Sequence, residues 1–180
     1  MLTRRPVPLL LVLGFGPLVL LDAPRAAAAE LVIEGAPLAP VTAAAPVTVL
    51  MRPSFELRGA LRRLPTSLDE GPVVRLSVER VKAPGGATLR VFVNLPNATA
   101  ETPTADFHYV GGLTSFEDPG PDSPGDDFLL DAGRAFKRLK KGDRLLPGDT
   151  VAVTLVLAPE TAPADAAIPF GRVVLSIETQ

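Results

Sequence analysis

A chain of 180 residues with 18 Lys and Arg against 20 Asp and Glu, a formal net charge of −2, has room for one domain with a real core and carries no electrostatic footprint for nucleic acid. It has no cysteine, which excludes disulfides, thiolate nucleophiles and zinc–thiolate sites, and its single histidine, His108, excludes a His-rich copper or zinc site within one chain. Its 20 prolines and few aromatics, among many Val and Leu, favour short strands joined by fixed turns over long helices.

The first residues have the order of an export signal. Arg4 and Arg5 form a basic region, Val7–Leu21 an apolar one, and Ala26–Ala29 a small-residue cleavage site. The apolar run falls short of the roughly 20 residues of a bilayer span, and Pro8, Gly14, Gly16 and Pro17 interrupt it. Residues 1–29 therefore read as a signal peptide cleaved after Ala28 or Ala29, with an uncleaved anchor as the alternative. Cleavage after Ala29 removes Arg4, Arg5, Arg25 and Asp22, so the net charge moves from −2 to −4. That suits a soluble secreted or periplasmic protein with no membrane attachment.

Residues 30–46 are expected to hold a short strand at Leu31–Glu34 and then an Ala/Pro-rich, partly ordered connector; residues 47–180 are expected to form a β-sandwich domain. Val47–Met51 reads as a strand. Leu57, Leu61 and Leu64 have helical spacing and predict a short helix starting near Ser54. Val73–Val81 alternates with period two. Pro84-Gly85-Gly86 predicts a tight hairpin turn to a partner strand at Leu89–Leu95, stopped by Pro96.

Phe107–Phe116 reads as a third strand, with Gly111-Gly112 marking a bulge or a close backbone approach. Glu117–Asp127 is an acidic Pro/Gly loop. Asp131–Lys140 predicts a helix with Asp131 as N-cap and Gly142 as its stop. Leu146–Asp149 reads as a turn, Val151–Leu157 as a buried strand, and Val173–Glu178 as the strand that closes the sheet. Together these elements predict a mainly all-β, antiparallel β-sandwich, jelly-roll-like, with one or two short helices. Val74, Leu76, Val78, Val91, Val93, Val153 and Leu155 are expected in the core, with Phe92 competing with Val91 and Val93 for the buried face.

Four stretches, in order, carry a resemblance. LRVFVNLP at Leu89–Pro96 resembles the KFDV-type strand of the C-terminal domain of tyrosinases and plant polyphenol oxidases. FHYVGGLTSFE at Phe107–Glu117 is similar to that domain's YVGSxxFF strand. GDTVAVTLV at Gly148–Val156 and FGRVVLSIE at Phe170–Glu178 are similar to its GDxVxVTLV and IGGIxIE strands. The resemblance covers roughly residues 73–179. It implies the β-domain that shields a dicopper catalytic domain, here without the copper-binding half. It thus implies an accessory protein with no cofactor of its own, partnered by a tyrosinase-like copper oxidase. The alternative is a free-standing structural or envelope domain with no link to copper enzymes, and a carboxylate-using hydrolase is a third, weaker reading.

Candidate site residues are few. His108 could give one ligand to a metal shared with a partner, but a rim histidine beside a packed Tyr109 is the plainer reading, since one imidazole is too little for tight binding. Glu117, Asp118, Asp122, Asp126 and Asp127 could gather Ca²⁺, but they lack the regular EF-hand spacing and read better as a solvated acidic loop. Asn97-Ala98-Thr99 fits the glycosylation pattern. Arg134, Lys137 and Arg138, with Lys140, Lys141 and Arg144, could dock an acidic partner or simply offset a helix dipole. In the family an aromatic or aliphatic side chain plugs the copper entrance; Phe128 is its possible analogue by placement alone. The partner-binding candidates are therefore Phe128, Tyr109, Arg134, Lys137 and Arg138.

Overall fold

The computed structural model describes residues 29–67, 71–120, 122–145 and 149–179. The expected signal segment up to residue 28, and most of the expected Leu146–Asp149 turn, lie outside the described residues.

The strands are β1 (Ala29–Gly35), β2 (Val41–Thr42), β3 (Val47–Met51), β4 (Val74–Val81), β5 (Thr88–Val93), β6 (Tyr109–Thr114), β7 (Asp126–Asp131), β8 (Val151–Leu157), β9 (Ala167–Ile168) and β10 (Arg172–Thr179). The helices are α1 (Phe55–Arg63) and α2 (Gly133–Lys141). Every pairing is antiparallel, and the pairs are nested: β1 with β10, β2 with β9, β3 with β8, β4 with β7, β5 with β6. The chain is thus a doubled ribbon. Two further pairings, β10 with β4 and β8 with β5, roll it into sheets of order β1-β10-β4-β7 and β3-β8-β5-β6. This is a jelly roll, an antiparallel β-sandwich as the sequence predicts.

The core lies between the sheets. Val74, Leu76 and Val78 of β4, Leu175 and Ile177 of β10, and Val153 and Leu155 of β8 have at most 1 % of their surface exposed. Alternation along β4 delivers one apolar face, as period-two side chains must. All of β8 is buried, because the 94–108 segment covers the outer face of its sheet. There Phe92 packs with Ala98 and Val156, and its ring meets Tyr109 at 5.5 Å between centroids. Val91, Val93 and Phe92 are therefore all core residues: β5 is covered on both faces, and the apparent competition between them disappears.

Three expectations fail. β4 and β5 do not form a hairpin. They follow one another along the same arm of the ribbon, and Pro84-Gly85-Gly86 is the corner where that arm passes from one sheet to the other. Gly86 adopts φ +84 there, the left-handed region that glycine enters without steric cost. Residues 35–46 are more than a connector: β2 pairs with β9, and Val41 is fully buried. Asp126–Asp131, read as the end of a loop and a helix cap, is strand β7, and α2 begins only at Gly133 behind an Ala132 N-cap without a side-chain hydrogen bond. The Asp131 carboxylate does accept a hydrogen bond from the Gly133 amide, at 2.8 Å.

Other local signals hold. Ser54 caps α1 by accepting from the Leu57 amide at 3.2 Å, and Leu57 and Leu61 are fully buried beneath the helix. The register of β5 and β6 shifts between Val91 and Phe92, opposite Val110, so a bulge sits beside Gly111. A Cβ on Gly111 would lie 3.1 Å from Leu130, which makes this also a close approach between the sheets.

The nested pairing sorts the connections into two ends. One end holds both helices and the described parts of the connections after β3, β5 and β7: residues 52–67, 71–73, 94–108, 132–145 and 149–150. The other holds 36–46, 82–87, 115–120, 122–125 and 158–171.

Candidate functional site

The helix-capped end carries a cleft of about 640 Å³ lined by Arg62, Asn94, His108, Lys140, Asp143, Arg144 and Leu145. These residues come from four separate stretches of chain. Each is placed by a local rule.

The C-terminus of α2 closes in a Schellman turn. The Asp143 amide donates to the Lys140 carbonyl at 3.1 Å and the Arg144 amide to the Leu139 carbonyl at 2.8 Å. The left-handed residue that this turn requires is Asp143, at φ +56, while Gly142 stays at φ −89. Gly142 is thus the C-cap and Asp143 the residue that reverses the chain. The reversal brings Asp143 and Arg144 to the cleft wall beside Lys140.

Asn94 locks this wall to the sheets. Buried and left-handed at φ +56, it donates from Nδ2 to the Leu145 carbonyl at 2.6 Å and accepts on Oδ1 from the Ala152 amide at 3.1 Å. One side chain thereby joins the end of β5, the exit from α2 and the start of β8. Arg62 enters from α1, where it faces Asp149 at 3.4 Å. Lys140 Nζ donates to the Leu64 carbonyl, which ties the two helix C-termini together.

His108 precedes β6 rather than lying within it, and it is 8 % exposed. Its Nδ1 lies 2.7 Å from Asp106 Oδ1, and the same oxygen accepts from the His108 backbone amide at 2.8 Å. Burial raises the Asp106 pKa, but the two hydrogen bonds from His108 and the charges of His108 and Arg144 outweigh it and hold the carboxyl below its ordinary 3.8. With Nδ1 engaged by Asp106, Nε2 is the ring nitrogen left for other chemistry.

A second cleft of about 480 Å³ adjoins, lined by Thr66, Phe107, Lys137, Arg138, Leu139, Lys141, Gly142 and Arg144. Arg144 borders both clefts. Phe107 is 62 % exposed in this otherwise basic surface.

The residues singled out in the sequence divide between inside and outside. Tyr109 is half-buried against Phe92. Phe128 is half-buried in β7, opposite Val78, and packs on the core. Lys137 is buried on α2. Arg138 donates to the carbonyls of Phe107, at 3.3 Å, and Tyr109, at 2.7 Å, and so anchors the entry to β6. Arg134 is exposed. Of these five, Lys137 and Arg138 line the second cleft, which Tyr109, Phe128 and Arg134 do not. Asn97 is exposed and its neighbour Ala98 is buried. The acidic loop lies at the opposite end. Sequence reasoning missed Arg62, Asn94, Asp106 and Asp143. Only the side-chain chemistry of Asn and Asp, which tolerate left-handed backbone, marks Asn94 and Asp143 in advance.

No family model matches the chain, and no curated protein matches it in sequence. Solved structures do. A recombinantly expressed latent aurone synthase, a polyphenol oxidase, shares the fold with a TM-score of 0.51 and 15 % identity, over 78 % of this chain and 26 % of that one. Latent aurone synthase from its natural source matches with a TM-score of 0.48 and 15 % identity, over 77 % of this chain and 25 % of that one. A latent apple tyrosinase matches with a TM-score of 0.45 and 12 % identity, over 78 % and 27 %. The chain therefore has the fold of one part of a polyphenol oxidase and spans about a quarter of the length of these enzymes. The dicopper centre that the resemblance implies for such enzymes does not fit the donors present here. Each copper needs several imidazoles, and this chain has one, with Nδ1 already engaged by Asp106.

Proposed function

We propose that this protein is an exported, non-catalytic β-sandwich that binds another protein, a tyrosinase-like copper oxidase foremost. The observation that carries the reading is the partial match: 78 % of this chain aligns with only 26 % of an aurone synthase chain, so the likeness is to one portion of an oxidase. The order of the four resembling strands supports the same portion. The donor set supports a non-catalytic role, because one histidine and no cysteine cannot hold two coppers. The basic, apolar and small-residue order of residues 1–29 supports export.

The docking face in this reading is the helix-capped end, where exposed Phe107 sits among Arg138, Lys141 and Arg144. An aromatic anchor ringed by cations suits an acidic partner surface: the ring supplies buried area and the charges set orientation and on-rate more than affinity.

The test is to measure copper content and phenol oxidation for the purified protein, alone and mixed with a candidate oxidase. The reading expects no copper and no turnover alone, and a specific complex with the oxidase that Phe107→Ala weakens. Stoichiometric copper with turnover by the chain alone would overturn it. Indifference to every co-encoded oxidase would favour the free-standing structural role. N-terminal sequencing of the exported protein should begin at Ala29 or Glu30.

A further inference from the structure

We propose that the cleft of His108 and Arg144 binds a small molecule through an oxyanion, a phosphate or a carboxylate. This does not depend on the partner reading above.

Size comes first. About 640 Å³ lies within the roughly 300–1,000 Å³ of small-molecule sites. A bare oxyanion is far smaller, so the ligand has a body beyond its charged group.

Charge comes second. Among the described residues, Arg62, Lys140 and Arg144 line the cleft against one lining carboxylate, Asp143. Their donors are largely unspent. Among the described residues, Arg62 has only a long, exposed contact to Asp149, at 3.4 Å. Lys140 commits one of its three ammonium donors to the Leu64 carbonyl. The Arg144 guanidinium has no hydrogen-bonded acceptor among the described residues, and its planar fork matches phosphate and carboxylate geometry. Asp143 lines the cleft, Asp149 faces Arg62 and Asp106 feels the charge of Arg144, so the three cations are offset in part, and a bound oxyanion supplies the acceptor that their unspent donors lack.

Preorganisation comes third. His108 is buried, and its ring Nδ1 and its backbone amide both bond to Asp106 Oδ1, which holds the ring in place while Nε2 stays available to a cleft ligand. Asn94 fixes Leu145, and so the neighbouring Arg144, against the sheets. A pocket whose polar groups are held before the ligand arrives loses little entropy on binding.

The lone histidine makes the test direct, because its imidazole proton signals are the only ones in the chain. Inorganic phosphate, malonate and sodium chloride at matched ionic strength are titrated separately while the His108 ring resonances are followed by NMR. The expected result is a saturable shift with phosphate, malonate or both, and none with chloride. A response to phosphate alone assigns a phosphate ligand, and a response to malonate alone a carboxylate.

Arg144→Gln should weaken that binding roughly ten- to hundredfold, the worth of one charged hydrogen bond. Lys82→Gln, at the other end of the sandwich, should leave it unchanged. Arg62→Gln, at a side chain 65 % exposed, repeats the test if Arg144→Gln does not fold. A drift that never saturates and equals that of chloride overturns the proposal. So does saturable binding that neither Arg144→Gln nor Arg62→Gln weakens.

Discussion

The two ends of the sandwich each carry a cluster of charge, acidic at one and basic at the other, and use it in opposite ways. At the turn end, the acidic residues are fasteners. Asp118 accepts from the Gly85 amide at 2.7 Å, Asp126 from the Ser115 hydroxyl at 2.8 Å, and Asp127 from the Arg80 amide at 2.8 Å. Those bonds hold the corner after β4 and the bulge within it. At the helix end, Arg134, Lys141 and Arg144 have no hydrogen-bonded acceptor among the described residues, and two clefts open between the helix termini. Both runs read alike in the sequence, as clusters of one sign. The difference lies in what the backbone offers them. A bulged strand and a sharp corner leave amides that carboxylates can satisfy. A helix C-terminus offers only carbonyls; Lys140 takes that of Leu64 at the end of α1, and Arg138 turns to the carbonyls of Phe107 and Tyr109 at the entry to β6.

If Asn94 is what makes the helix end rigid, its removal should have the largest effect of any single change there. Asn94→Ala orphans the buried Ala152 amide and Leu145 carbonyl and leaves a Cβ residue at φ +56 without a side-chain tether. The expected cost is about 4 kcal/mol, at roughly 1–3 kcal/mol for each unsatisfied buried group. It would be read as a fall in the urea midpoint with unchanged slope. The turn end has its counterpart in Gly125. At φ +89, a Cβ there would stand 2.7 Å from the Arg80 carbonyl carbon. Gly125→Ala should cost about 3 kcal/mol by strain at a left-handed site. A loss below about 1 kcal/mol at Gly125 would mean that the backbone at Arg80 and Val81 yields to the added Cβ, and that the turn end is not held rigid there.

Between the ends, the interior was the legible part. Alternation in β4 and the unbroken apolar run of β8 follow from one rule, that side chains of a strand face alternate sides. The rule needs no knowledge of partners, so the predicted core residues are all buried. What it cannot supply is which strand pairs with which. Pro84-Gly85-Gly86 has the chemistry of a hairpin turn and equally that of a sandwich corner. The choice is made by β7 and β10, nearly 50 and 100 residues further on in the chain, which take both edges of β4. β7 itself, DDFLLD, was hidden because only Phe128 and Leu130 turn inward while its acidic flank reads as loop. The site was less legible still. Its residues come from α1, the end of β5, the approach to β6 and the exit from α2, so no spacing within one window could reveal it.

The core offers a reference that neither end should influence. Val153 is fully buried at the centre of β8, paired to Val49 and Val93. Val153→Ala should cost about 1–3 kcal/mol. Acid should then separate the ends. The Asp106 carboxyl has a folded pKa below its unfolded 3.8, so its stabilisation is complete above pH 3.8 and is lost as pH falls through the lower folded value. Asp106→Asn should therefore show a shallower loss of stability below pH 3.8 than the parent chain, measured by denaturant midpoint against pH. Equal slopes would show that the His108 contact contributes nothing to acid stability.

The smallest expected effect tests the Schellman turn itself. Asp143 occupies the left-handed position at φ +56, where a Cβ costs energy that glycine avoids, although aspartate tolerates the region better than most. Asp143→Gly should relieve that strain, while the freer unfolded chain offsets part of the gain. The net change should lie within about 1 kcal/mol in favour of the variant. The same change removes the only carboxylate among the described residues that line the cleft, so the attraction of Arg62, Lys140 and Arg144 for an anion should rise even as the turn is retained. Two measurements on one protein then bear on the contrast between the ends. An unchanged or higher melting temperature places the reversal in the backbone and not in the carboxylate. A tighter His108 response to phosphate or malonate shows that the charge of this end is open to a ligand rather than consumed by the fold. A marked loss of stability would instead make Asp143 a fastener like Asp118 and Asp127, and the two ends would be alike.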